Sequence, residues 1–176
     1  TYKVNNNNSF YLSYAHANKE PNRNDFENGV NTSEKLNDFE LGWRFSTNNL
    51  KVNTNIYYML YKDQLVLTGA IDDTGSQLRA TSGKSYRLGL EIDAQIKVSD
   101  KISLLPNIAL SNNKNVDFFA PINGDLVNLG DTNLSFSPNV VIGNAITYNP
   151  SNIIQFSFLS KYVGEQHMGN LESSVT

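Results

Sequence analysis

From Arg87 to Val98 the sequence alternates with period two. Leu88, Leu90, Ile92, Ala94, Ile96 and Val98 fall on one side, and Arg87, Glu91, Asp93, Gln95 and Lys97 on the other. Only a strand with one apolar and one polar face keeps those two sets apart; a helix would scatter both around its circumference. The pattern recurs. Phe10, Leu12 and Tyr14 share a side between Ser9 and Ala17. Phe39, Leu41, Trp43 and Phe45 do so between Leu36 and Ser46, opposite Glu40, Gly42 and Arg44. A third run starts at Leu50 and continues through Val52, Thr54, Ile56, Tyr58 and Leu60. Ile102, Leu104, Ile108 and Leu110 form a fifth, interrupted by Pro106; Phe136 to Tyr148 gives a sixth, and Ile154, Phe156 and Phe158 a seventh. About seven strands are therefore predicted, and no apolar run at helical spacing competes with them. The fold class is all-β, an antiparallel up-and-down meander.

The connections constrain the architecture further. Short turns are predicted at Asn5–Asn8, Thr47–Asn49, Ser99–Lys101 and Asn149–Asn152. Long segments run over Asn18–Lys35, Gln64–Ser85 and Asn112–Asn133. Short and long alternate, so a meander carries every tight turn at one end and every long loop at the other. Asparagine supplies much of the punctuation, at roughly 15% of the chain, because it tolerates left-handed backbone and caps its own turns. Thr1 to Val4 reads as the end of a strand already under way, as in an excerpt of a longer protein.

Alternation by itself suits a soluble sandwich, whose apolar face meets a core, or a membrane barrel, whose apolar face meets lipid. Three features favour the barrel. The apolar faces run for about ten residues, the span of a tilted membrane strand. Long loops gather at one end, as in outer-membrane barrels. Aromatics mark two levels: Phe10, Phe45 and Tyr148 lie near short turns, and Phe39, Tyr58 and Tyr162 lie farther up. At roughly 2.4 Å of height per residue this separation approaches the ~25 Å apolar band between aromatic girdles. Tyr14 falls between the two levels. Turning the charged side of the fourth strand to lipid would cost up to about 2–4 kcal/mol for Arg87 and again for Lys97. Arg87, Glu91, Asp93 and Lys97 are therefore assigned to the lumen, and Leu88, Leu90, Ile92, Ala94, Ile96 and Val98 to lipid. Outward residues are odd-numbered in the second strand and even-numbered in the third. A plain hairpin between them needs an even number of intervening residues, whereas an odd number suits the fourth and fifth strands. Were the piece isolated, its edges and apolar face would need cover from another copy, from detergent or from collapse of the sheet.

Several functions are excluded. The 176 residues contain no cysteine, which removes disulfide scaffolds and thiolate zinc sites. A net charge of -3 with scattered lysine and arginine argues against nucleic acid as a partner. No G-x-x-x-x-G-K loop and no H-E-x-x-H signature occurs, and His16 and His167 are too few for a triad or metal cluster. Asp72-Asp73-Thr74-Gly75 and Asn123-Gly124-Asp125 are compatible with calcium but read more simply as turns. No enzyme, resident metal or cofactor is predicted.

The runs SYAHANKEPNRNDF (Ser13–Phe26), SEKLNDFELGWRF (Ser33–Phe45), YKDQLVLTGAIDDTG (Tyr61–Gly75), KSYRLGLEIDA (Lys84–Ala94) and SKYVGEQHMGN (Ser160–Asn170) together resemble the late barrel of TonB-dependent outer-membrane receptors. The asparagine-rich style is similar to receptors of Bacteroidetes-like bacteria. The resemblance implies about seven strands of a barrel of roughly 22 with a plugged lumen. It also implies import of a scarce nutrient, such as an iron–siderophore complex or cobalamin. The TonB energy-transducing complex would act through an N-terminal plug that lies outside this sequence, and the closing strand would lie outside it too.

On that reading the long loops form a mouth that captures a small-molecule ligand. His16, Lys19, Arg23, Asp25, Arg79, Tyr86, Phe118 and Phe119 are its candidate residues, because cations attract anionic ferric chelates and aromatic rings stack on flat ligands. The same residues would equally serve to hold the loops together. A passive porin-like channel, or a soluble β-sandwich that binds carbohydrate or mediates adhesion, remains compatible with the sequence.

Overall fold

The computed structural model describes residues 1–168 except 72, 73, 82, 117, 123 and 124, with backbone alone for 66–71, 77, 78, 80, 119–122, 125 and 126. Its elements in chain order are β1 (Tyr2–Lys3), β2 (Asn8–Lys19), α1 (Arg23–Glu27), β3 (Glu34–Ser46), β4 (Leu50–Lys62), β5 (Leu65–Ile71), β6 (Gln77–Thr81), β7 (Lys84–Lys97), β8 (Ile102–Val116), β9 (Phe119–Ile122), β10 (Asp125–Asn128), β11 (Thr132–Asn133), β12 (Val140–Tyr148) and β13 (Phe156–Val163). One antiparallel sheet runs β1-β2-β3-β4-β7-β8-β12-β13, with β11 attached to β8. The hairpins β5–β6 and β9–β10 stand apart from it, inside two of the long connections.

Register follows the predicted parity. Phe45 pairs with Val52 and Ser46 with Lys51, leaving four residues between the last partners. Lys97 pairs with Ser103, leaving five. Side chains close the turns. Asn5 Oδ1 accepts from Asn7 N and Asn8 N, both at 2.9 Å; Thr47 Oγ1 accepts from Leu50 N at 3.0 Å; Ser99 Oγ accepts from Ile102 N at 3.1 Å.

Three expectations need correcting. Strand β8 does not stop near Leu110 but runs 15 residues through Pro106. The β7–β8 ladder lapses at Ala94 and Gln95, opposite Pro106 and Leu105, while β12 still pairs with both. A proline is tolerated there because the missing N–H costs a single rung. Asn112, Asn113 and Asn115 accordingly lie in the strand rather than in the loop. Strand β12 starts at Val140 and not at Phe136, whose φ of 53° breaks an extended chain. Finally, the first long connection holds a single helical turn, α1, too short to leave a periodic trace.

Among the described residues no second layer covers the apolar face, which excludes the sandwich. Phe39, Leu41, Ile56, Tyr58, Leu88, Leu110, Ile142, Phe156 and Phe158 are exposed, and the sheet does not collapse over them. Among the described residues the buried hydrophobic side chains are Val30, Phe118 and Leu134, all in long connections. Tyr14 pairs directly with Phe39 and their rings lie 4.9 Å apart, so it belongs to the aromatic level far from the short turns.

Candidate ligand-binding mouth and lumen wall

The long-loop end is built from side chains that tie loops to strands and to each other. In the first loop Asn22 caps α1. Its Oδ1 accepts from Asp25 N at 2.8 Å, and Asp25 Oδ2 accepts from Asn22 N at 2.9 Å, a reciprocal capping box. The other oxygen of Asp25 takes Arg79 Nε at 2.8 Å, from β6 in the second loop. Asp25 is 3% exposed, so this pair is shielded on the carboxylate side. The second loop is also held at its root. Leu65 N donates to Glu34 Oε2 at 2.9 Å, and the buried Ser85 hydroxyl donates to Gln64 Oε1. In the third, Phe118 is buried and exchanges backbone bonds with Leu129 and Gly130, while Thr132 pairs with Asn115 on β8.

Below the loops, the polar face forms a wall of tyrosines, amides and charges. Tyr11 pairs with Gly42, Tyr57 with Gly89, and Asn107 with Gly143. In each pair the larger side chain lies across the glycine. A Cβ at Gly42 or Gly89 would fall inside the tyrosine ring, and one at Gly143 would stand 2.7 Å from Asn107 Oδ1. Tyr11 also donates to Asn55 Oδ1 at 3.0 Å under the Arg44 guanidinium, 4.8 Å above the ring centroid. Arg87 covers Tyr61 at 4.4 Å, and Asn53 Nδ2 donates to Asp93 Oδ2 at 2.9 Å. Tyr11, Arg44, Asn53, Asn55, Glu91 and Asp93 line one open cleft.

The predicted residues divide into groups. Arg87, Glu91, Asp93 and Lys97 share the face opposite Leu88 and Leu90. Lys97 reaches the turn and holds Asp100 at 2.6 Å; that hydrogen bond, with the ammonium charge, lowers the exposed carboxyl's pKa. Lys19 pairs with Glu34 at the end of β2. Arg23 is exposed on α1 and paired with Glu27 at 2.8 Å. Arg79 is engaged by Asp25 and Phe118 is buried, so both act as loop fasteners. The side chain of Phe119 lies outside the described residues, as do Asp72, Asp73, Asn123 and Gly124.

His16 and Tyr86 are placed differently from expectation. His16 stands on the face of Tyr14, its Nδ1 3.0 Å from the Asn37 Oδ1 that also accepts the Tyr14 hydroxyl. Tyr86 lies on the Leu88 face, its ring 6.1 Å from Tyr58. Both therefore belong to the apolar side, and parity carries the placement: Tyr86 shares that of Leu88, and His16 that of Tyr14. Sequence reasoning missed Tyr11, Tyr57 and Tyr61 because their partners appear only once the register is fixed.

The family described as TonB dependent receptor-like, beta-barrel matches residues 1–174. The chain belongs to that family. Its apolar face is thus the lipid face of an outer-membrane barrel, and its polar face the lumen wall. Members are receptors and transporters, not enzymes. Among curated proteins, none matches the sequence. Solved structures similar in fold include the ferric-catecholate import receptor Fiu from E. coli K12, with TM-score 0.69 and 18% identity over 99% of this chain and 25% of that one. The siderophore receptor PiuA from Acinetobacter baumannii gives 0.70 and 17% over 92% and 24%. The copper transporter OprC gives 0.62 and 18% over 82% and 22%. The chain thus spans about a quarter of the receptors it matches.

Proposed function

We propose that this chain is the wall and outer mouth of a receptor that imports a scarce nutrient by TonB-dependent active transport, with an iron–siderophore complex as cargo. The family match carries the reading, and the lumen wall of stacked guanidinium–tyrosine pairs beneath tied loops supports it. The remainder of the barrel and the plug through which TonB acts belong to the rest of the receptor. Fiu and PiuA are named for ferric-catecholate and siderophore uptake, which favours an iron chelate; OprC is named for copper. Of the outer candidates, Lys19 and Arg23 are exposed cations and Phe119 is an aromatic assigned to ligand, with Arg87 a cation on the polar face below them. Asparagine content alone, 26 of 176 residues, supports a Bacteroidetes-like source.

The test is uptake of radiolabelled ferric siderophore by cells whose only iron receptor is the full-length protein, with and without TonB. Uptake that vanishes without TonB is expected. Uptake independent of TonB, with steady conductance in planar bilayers, would establish the porin-like channel instead.

A further inference from the structure

Strands β11 and β12 are one strand with an interruption. Both lie along β8: Thr132 pairs with Asn115 and Asn133 with Lys114, and Val140 pairs with Leu110. Leu134 N donates to Asn113 O at 3.2 Å, and Ser111 N donates to Asn139 O at 2.9 Å. Between these two rungs β8 contributes one residue, Asn112, and the opposing strand four, Ser135 to Pro138. Parity reflects the surplus. Lumen-facing residues are even-numbered before the excursion, at Thr132, and odd-numbered after it, at Val141 and Gly143. Bulges of this kind re-aim a side chain and gather beside functional sites.

The excursion carries Phe136. Its φ of 53° is an outlier for an aromatic residue, and glycine would adopt it without steric cost. The side chain is nonetheless 58% exposed, so burial does not offset the strain. Such conformations persist where the surroundings over-determine them, and they cluster at ligand clamps. Here the surroundings can be named. Phe136 N donates to His167 O at 2.8 Å, in the segment beyond β13, and Ser137 Oγ donates to Ser135 O at 3.1 Å. Ser111 Oγ donates to Pro138 O at 3.0 Å and accepts from Asn113 Nδ2 at 2.8 Å. Ser111 and Asn113 stand opposite Gly89 and Arg87 on the polar face, so the excursion is tethered from the lumen side.

The place suits a ligand. The excursion departs beside Asn113, on the rung of Arg87, and two strand spacings put it about 10 Å from that residue's strand. Arg87 itself lies over the Tyr61 ring at 4.4 Å. An aromatic surface and a guanidinium therefore flank the same stretch of upper lumen. We propose that Phe136 is a specificity-determining residue of the mouth: a flat ring of the cargo stacks on it while Arg87 faces the cargo's negative charge. This rests on the iron-chelate reading above and narrows it to anionic chelates built from aromatic, catecholate-type groups.

The test uses the full-length receptor in detergent and equilibrium binding of two radiolabelled probes. One is ferric enterobactin, a tris-catecholate; the other is ferrichrome, a hydroxamate chelate without aromatic rings. Phe136→Leu keeps an apolar side chain of similar size but no π face, and should weaken ferric enterobactin about tenfold. Phe136→Trp and Phe136→Tyr should hold it within about threefold. Phe136→Gly should lose as much affinity as Phe136→Leu while the barrel's thermal midpoint stays level or rises, because glycine takes that φ freely. A residue retained for structure would lower the midpoint instead. Should the glycine variant fold poorly, the contrast between Phe136→Leu and Phe136→Trp decides. Ferric enterobactin affinity unchanged in Phe136→Leu would overturn the proposal, and so would binding of ferrichrome alone by the unsubstituted receptor; both results leave the transport reading standing. Binding of neither chelate, together with no TonB-dependent iron uptake, would refute the transport reading and this proposal with it.

Discussion

The joint between Asp25 and Arg79 should govern how easily the first two loops open. Replacing Asp25 with Asn keeps the shape and an oxygen for Asn22 N–H but removes the charge facing Arg79. Exposed ion pairs contribute about 0.2–1 kcal/mol, whereas breaking a buried one costs about 3–5. Here the carboxylate is 3% exposed and the arginine side chain 28%, so the loss falls between these limits, at about 2 kcal/mol. Asp25→Ala also removes half of the capping box and adds about 1 kcal/mol. Native-state hydrogen exchange on the full-length barrel reads this locally, through Phe26 N, Asn28 N and Val30 N, which donate to Asn22, Asn24 and Asp25 carbonyls. At tenfold per 1.4 kcal/mol, Asp25→Asn should speed exchange of these amides about thirtyfold, with strand amides unaffected. The cycle with Arg79→Met should show coupling of at least about 1 kcal/mol. If Asp25→Asn changes exchange in α1 less than about twofold, or if the two substitutions simply add, the pair does not hold the loops.

Two further outcomes follow from the faces of the wall. Ile92→Arg puts a cation into lipid and should cost up to about 2–4 kcal/mol, whereas Gln95→Arg, in the lumen, should stay within about 0.5. Unfolding of the full-length barrel in lipid vesicles, followed by circular dichroism, compares them, and equal costs would invert the face assignment. Gly89→Val drives a side chain into the Tyr57 ring and should cost about 1–3 kcal/mol. The same substitution with Tyr57→Ala already in place should be nearly silent, and persistence of the full cost would show that the ring is not the obstacle.

The long strands were legible because each alternates apolar and polar residues over several pleats, and that same alternation fixed hairpin parity before any pairing was known. Legibility failed where period two stops. The single turn of α1 and the hairpins β5–β6 and β9–β10 are too short to print a pattern, and what holds them is specific: a capping box, an ion pair, backbone bonds around Phe118. Asn113 and Asn115 read as loop residues because asparagine usually terminates strands. They remain in β8 because their amides find Ser111 and Thr132. His16 and Tyr86 were assigned to the mouth by nearness to loops, although parity already put them on the other face. The tyrosine–glycine pairs depend on register across strands more than twenty residues apart in sequence, information that no single segment carries.

The distribution of burial explains why such a chain can dispense with a core. A sandwich stabilises its apolar faces by pressing one sheet against another; here lipid takes the place of the second sheet, so Leu41, Ile56 and Phe158 are exposed within the protein and still removed from water in the membrane. The sheet needs only its ladders and the ring-over-glycine contacts that stiffen its wet side. Above the membrane the loops have no lipid, and among the described residues they bury three hydrophobic side chains, Val30, Phe118 and Leu134. They are held instead by discrete joints: Asp25 to Arg79, Gln64 to Ser85, Glu34 to the backbone of Leu65, Asn115 to Thr132. A hydrophobic core loses stability gradually as residues are trimmed, whereas a structure held by a few polar joints loses a whole contact when one partner changes. The wall should therefore tolerate apolar substitutions that conserve its faces, while the mouth answers sharply to single polar ones.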